Sequence, residues 1–245
     1  MKLLTNYIIA LTQFYGLVTP EIVVAMYNQQ NEHQIIEEDV YTILYNPPEK
    51  LREHDIFPKG HLFVHKSLFI GEDTLVRLIE DKSDKPYYLP SKSELRNYLD
   101  PNYIEKNDQF YHLYNYLKEH LEGFTEEFIE EICEHFVLVL RDDDLNFGYV
   151  VRYLKKCGIS LETNMDFETL VSLVTELGSN VRMWANNGYT RKELLQTRIA
   201  ILLHEEAYEL NVLSDVICHC GSGDYYKDCC MTRNEKVKCL NDYRQ

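Results

Sequence analysis

Residues 55–69 read "DIFPKGHLFVHKSLF". Two short apolar groups, Ile56-Phe57 and Leu62-Phe63-Val64, flank Pro58-Lys59-Gly60. That is the chemistry of a tight turn, and the stretch predicts a small β-hairpin. Everything before it reads as helix. In "TNYIIALTQFY" (5–15), Tyr7, Ile8, Leu11, Phe14 and Tyr15 share one helical face, and Gly16 stops the run. "VTPEIVVAMYNQQN" (18–31) opens with Thr19 as N-cap, Pro20 at the first helical position and Glu21 in the first turn. "EEDVYTILYN" (37–46) predicts a third helix ending before Pro47-Pro48. Three helices followed by a hairpin is the order of a winged helix, so residues 1–70 are expected to form a winged-helix-like unit.

Outward from there the chain stays helical. A helix over 71–85 is followed by Ser91 and Glu94 in capping-box spacing. "NDQFYHLYNYLKEHL" (107–121) is an aromatic-rich helix. In "FTEEFIEEICEHFVLVLR" (124–141), Phe128, Ile129, Ile132, His135, Phe136 and Val139 form a stripe opposite glutamates. "NFGYVVRYLKKCG" (146–158) is one further helix. "DFETLVSLVTELGSNVRMWANNG" (166–188) is read as another, capped by Asp166, carrying Trp184 as a core anchor and ending near Gly188. Thr190 and Glu193 form a second capping box, opening "YTRKELLQTRIAILLHEEAYEL" (189–210). The expected fold class is mainly α: a helical domain over 71–213 behind the winged-helix-like unit, and a small tail over 214–245.

The net charge is −15 over 245 residues. Residues 214–245 hold five basic and five acidic side chains, so the whole excess lies in residues 1–213. Phosphate affinity comes from clustered Lys and Arg, and this balance argues against a general polyanion binder. The first sixty residues carry four basic and eight acidic side chains, and the third helix begins Glu37-Glu38-Asp39, where a recognition helix would meet phosphates. No run approaches the roughly eighteen apolar residues that span a bilayer. The start, "MKLLTNYIIALTQFYG", resembles a weak signal peptide, but Asn6, Thr12 and Gln13 interrupt it and no small-residue cleavage site follows. Cytoplasmic residence is expected, where thiols stay reduced.

That matters for the tail, "CHCGSGDYYKDCC" (218–230), which contains four of the seven cysteines. Cys218, Cys220, Cys229 and Cys230 give C-x-C-x8-C-C, four thiolates from one short knuckle, matching the tetrahedral donor set of structural zinc. The glycines of "GSG" let the backbone fold tightly round a ligating cysteine, so that amide hydrogens point at the sulfurs. Lys227 offsets charge beside the second pair. A metal-free thiol cluster, a disulfide pair in an oxidising compartment and a redox dithiol are the alternatives; the spacing lacks C-x-x-C, which disfavours the last. Four cysteines fill the shell and leave no open position for catalysis. His219 is read as solvent-facing, Cys239 as a spare thiol, and Cys133 and Cys157 as core packing.

The same residues resemble the SEC-C motif family, the zinc knuckle best known from the C-terminal tail of the preprotein-translocation ATPase and found at the ends of many bacterial proteins. The match covers Cys218, Cys220, Gly221, Ser222, Gly223, Tyr226, Lys227, Cys229 and Cys230. It departs at His219, where the family usually has Pro, and at Asp224 and Asp228, where Lys is common. The resemblance implies one structural zinc per chain and a surface that docks other macromolecules. It covers about thirteen residues, and no Walker A sequence accompanies it.

Elsewhere, His204, Glu205 and Glu209 lack the second histidine of H-E-x-x-H and read as a solvated helix face. His61 and His65 flank the hairpin at strand spacing and could share a face for a metal or ligand; two exposed histidines beside a turn is the plainer reading. Tyr87 and Tyr88 could stack on a ligand or simply pack. The expectation is a zinc-binding, non-enzymatic protein that docks a protein partner, with no nucleic-acid binding. The rival is a winged-helix regulator reading DNA, and a third, weaker reading is an enzyme whose acidic cleft is not visible in one sequence.

Overall fold

A computed structural model describes residues 2–71, 73–142, 147–159 and 166–209. They form eleven α-helices and one three-stranded sheet. The first helix, α1 (Lys2–Tyr15), has no solvent face worth the name: Ile8, Ile9, Leu11, Thr12 and Tyr15 are all buried. Its sequence predicts a one-faced helix, and the structure makes it the central rod of the first core. Thr12 is tolerated inside because its hydroxyl donates to the Ile8 carbonyl at 2.7 Å, and Gln13 because its amide donates to the His54 carbonyl at 2.9 Å.

Gly16 then takes a positive φ of 80° and turns the chain into β1 (Leu17–Val18), a strand the sequence reading did not anticipate. After it come α2 (Pro20–Gln30), capped by Thr19 as expected, α3 (Glu37–Tyr45) and a single turn, α4 (Glu49–Glu53). The hairpin follows as β2 (Ile56–Lys59) and β3 (Leu62–His65), antiparallel, with Phe57 opposite Val64 and Lys59 opposite Leu62. Its turn is therefore Gly60-His61, not Pro58-Lys59-Gly60. Gly60 supplies the positive φ that a two-residue turn needs, and Pro58 sits inside the strand. Pro58 is tolerated there because β2 is an edge: the sheet order is β1-β3-β2. With α4 as an added turn, this is the element order of a winged helix.

A 3-10 turn (Lys66–Phe69) leads to α5 (Thr74–Lys82) and α6 (Lys92–Asn97). The Ser91–Glu94 capping box is present. Leu95 of α6 joins the first core, with Tyr87, Tyr88 and Leu89 packed against it. A second core lies among α7 (Asp108–His120), α8 (Glu126–Asp142), α9 (Phe147–Lys156) and α10 (Phe167–Asn180). On α8 the buried stripe is Ile129, Ile132, Cys133, Phe136, Val137 and Leu140; Phe128, His135 and Val139 flank it. The last helix, α11 (Arg191–Glu209), begins at the Thr190–Glu193 capping box.

The helix expected to reach Gly188 stops at Asn180. Val181 is extended, Arg182 bridges Thr190, and residues 182–190 form a tight loop that inserts between α1 and α5. Trp184 lies in this loop, on a 3-10 turn (Trp184–Asn186), and is buried in a third cluster with Leu17, Val64, Leu68, Leu75 and Leu78. Its indole N–H donates to the Gln13 carbonyl at 3.0 Å. Asn187, in the left-handed region at φ 49°, donates through its side-chain amide to the Lys82 and Lys85 carbonyls. Gly16 lies so close to the indole that a Cβ there would sit 2.5 Å from Trp184 Cδ2. Reciprocally, a Cβ on Gly188 would run into the Phe14 and Tyr15 rings. Each segment brings a glycine to the other's aromatic.

Lys82 completes the junction. It is 5 % exposed, and its ammonium donates to the Tyr15 carbonyl at 2.6 Å, over the Tyr15 and Tyr87 rings. A cation at the C-terminus of a helix suits the helix dipole. Burial, and then nearby Lys85, nevertheless push its pKa down to about 7.

Two predictions follow from this junction. Gly16→Ala should destabilise the protein by about 3 kcal/mol or more, through both the positive φ and the Trp184 contact. Gly60→Ala, also at positive φ but in open space, should cost only about 1 kcal/mol. Equal losses in denaturant melts would show that the Trp184 contact is slack. Lys82 also sets a pH dependence. Above pH 7 the folded state has released the Lys82 proton while the unfolded chain keeps it, so stability rises with pH from about 7 until the unfolded lysine titrates near 10.5. Lys82→Met should flatten that rise; a melting temperature with the same pH slope in the variant would contradict it.

Candidate functional site

The four candidate zinc ligands, Cys218, Cys220, Cys229 and Cys230, lie outside the described residues, as do His219 and Cys239. Among the described residues no group of three or more His, Cys, Asp and Glu side chains is placed to hold a metal ion. His61 and His65 do not act together. His61, in the turn, meets the edge of Tyr41 at 6.2 Å, whereas His65 meets Trp184 at 5.2 Å and has Nδ1 2.9 Å from the Ser67 hydroxyl. Backbone at 204–209 is helical, within α11. No helix of the described residues is long and apolar enough to cross a membrane.

Tyr88 is under the Arg182 guanidinium, 3.9 Å from ring centre to Cζ, and Tyr87 meets the Tyr15 ring edge-on. Both tyrosines are used in packing. Arg182 itself is 12 % exposed and reaches three carboxylates: Glu94 at 3.2 Å, Glu105 at 3.4 Å and Glu193 at 3.1 Å. Burial opposes its charge, but Glu193, Glu105, Tyr88 and Glu94 outweigh this and raise its pKa. Burial raises the Glu105 carboxyl, with Arg182 pulling the other way. The cluster ties α6, the 103–106 segment and the start of α11 to the inserted loop. Its donors are committed, so it reads as a structural node rather than a reaction centre. Sequence spacing gave no sign of it, because the four residues come from four separate places in the chain.

Beside Trp184 is a cleft of about 410 Å³, lined by Ser67, Leu68, Thr74, Arg77, Asp81 and Trp184 among others. Its volume suits a small ligand. On the second core, His135 stacks on Tyr153 at 3.9 Å and has Nε2 2.7 Å from the Tyr149 hydroxyl. Burial, then Lys156, lowers the His135 pKa. Burial, then Cys157, pushes the Tyr153 phenol up to about 12, so it holds its proton at neutral pH. Neither place brings a nucleophile, a base and an orienting group into one line.

The remaining candidate is the outer face of α3. Its N-terminus carries Glu37, Glu38 and Asp39; Asp39 accepts from the Ile36 amide at 3.0 Å as a cap. Burial, then Glu21 and Glu38, raise the Glu37 carboxyl. Tyr41 and Tyr45, one turn apart, stack at 6.0 Å. Tyr45 is 67 % exposed and Ile36 61 %. Among the described residues no Lys or Arg pairs with Glu21, Glu37 or Glu38. Compared with known proteins, the chain matches no family model, no curated protein and no solved structure.

Proposed function

We propose that the chain is a zinc-binding, non-enzymatic docking protein of the cytoplasm, whose C-terminal knuckle engages another protein. The observation that carries this reading is the run Cys218-His219-Cys220-Gly221-Ser222-Gly223 followed by Cys229-Cys230. It supplies four thiolates, the glycine turns to wrap them and no open coordination position. The zinc would be structural, one per chain, and would supply folding energy to a segment too short to hold a core of its own; in isolated zinc modules this is on the order of 10–16 kcal/mol. The charge distribution supports a division of labour, because the segment 214–245 is formally neutral before zinc binds whereas the body carries the full −15.

The winged-helix element order favours one second reading, a DNA-binding regulator. The acidic start of α3 speaks against it, since carboxylates placed at a duplex backbone repel phosphates.

Protein purified without added metal should contain one zinc per chain by elemental analysis. The double substitution Cys229→Ser/Cys230→Ser should abolish it. Zinc near zero in the parent, or full zinc in the variant, would sink the site. The same preparation should not shift random duplex DNA at micromolar concentration and physiological salt. A salt-sensitive shift at sub-micromolar concentration would put the regulator first.

A further inference from the structure

We infer that the outer face of α3 is a second docking surface, on the body rather than the tail, and that it takes a lysine- or arginine-rich segment of another protein. Two different attractions on this face select the same chemistry. The first is charge: Glu21, Glu37 and Glu38 crowd one side of the helix, and among the described residues no basic side chain neutralises them. The helix dipole accounts for carboxylates in the first turn of α3, but Glu21 belongs to α2 and is drawn to the same place by the packing of the two helices. The second is aromatic. The stacked Tyr41–Tyr45 pair continues the acidic row toward the C-terminal end of α3, with Glu21 and Glu37 beside the Tyr41 phenol. A cation held over such rings gains cation–π attraction in addition to its ion pairs.

The other flank of α3, away from the Tyr41–Tyr45 row, carries an apolar groove. Between α1 and α3 runs a groove of about 190 Å³, floored by Leu4, Tyr27, Ile35 and Ile43 and rimmed by Asp39 and His33. Lys and Arg stems lie along apolar surface of this kind while their charged heads reach carboxylates. Exposed Ile36 at the mouth of α3 offers further apolar contact. A duplex would be repelled by the same carboxylates, and an acidic protein likewise. The inference does not rest on the knuckle, and the zinc-free protein should retain the surface.

The test uses the full chain and a fluorescent, unstructured Arg/Lys peptide of about nine residues, in about 0.1 M salt, followed by anisotropy. Glu37→Gln/Glu38→Gln/Tyr45→Ala should weaken binding at least about tenfold, with melting temperature unchanged to show that the fold is kept. Glu119→Gln/Glu122→Gln removes the same charge from exposed positions in the last turn of α7 and the turn that follows it, and should leave affinity within about twofold. Equal weakening in both variants would reduce the effect to the general field of a −15 protein and overturn the assignment. Loss of binding in Cys229→Ser/Cys230→Ser would move the site to the knuckle. Tighter binding in Lys236→Gln/Lys238→Gln would mean that the chain's own C-terminal segment covers α3. Binding of labelled duplex DNA to the protein itself, with no peptide present, would likewise overturn it.

Discussion

The last carbonyls of a helix have no partner within the helix, and α1 ends in the middle of the protein, where water cannot supply one. The structure answers with groups from far along the chain. Trp184 donates its indole N–H to the Gln13 carbonyl and Lys82 its ammonium to the Tyr15 carbonyl. Gly16 closes back on the Thr12 carbonyl through its own amide, at 2.8 Å. Leaving such carbonyls buried and unpaired would cost about 1–3 kcal/mol each, so the two distant donors decide where α1 can stop. They also decide what lies against it. The 182–190 loop is brought to Gly16, Arg182 arrives over Tyr88 with Glu94 in reach, and Asn187 closes on the Lys82 and Lys85 carbonyls.

This junction joins two hydrophobic cores that sequence order would keep apart. The first is built round α1 and extends to Leu95, and the second fills the space among α7, α8, α9 and α10. Trp184 sits in the cluster that links the three-stranded sheet to α5. With the sheet and α5 engaged on that side, α3 is left facing outward. The fold thus exposes a helix of acidic and aromatic character, α3, far in sequence from the cysteine-rich segment proposed as a zinc knuckle. Both features suit recognition of other macromolecules more than chemistry on a bound substrate.

What the sequence disclosed depended on how local the controlling interaction was. Thr19-Pro20, Ser91 with Glu94, and Thr190 with Glu193 each start a helix through contacts within three residues, and each stands where the sequence places it. The hairpin was legible too, but its turn falls at Gly60-His61, because Gly60 takes the positive φ while Pro58 and Lys59 pair within the strand. The 166–188 stretch was misread as one helix. Its apolar spacing continues through Val181 and Trp184, while the reasons to leave the helix, the Gln13 carbonyl and the Phe14 and Tyr15 rings, lie about 170 residues away in sequence. Arg182 and its three glutamates were invisible for the same reason. The α3 face was half legible: its carboxylates stood out, but the neighbouring Glu21 and the stacked tyrosines are products of packing. The cysteine spacing of residues 218–230 is an expectation from sequence alone, because those residues lie outside the described ones.

Trp184 is the chain's only tryptophan and lies at the junction on which this description rests, so its fluorescence reports that place and no other. The direct measurement is equilibrium unfolding in denaturant followed in parallel by Trp184 emission and by far-ultraviolet circular dichroism, which sees the helices of both cores. If the inserted loop binds the two cores into one cooperative unit, the two signals should change together, with the same midpoint and slope. Trp184 becoming exposed at lower denaturant while most of the helical signal persists would show that the loop rests on the N-terminal unit without holding it.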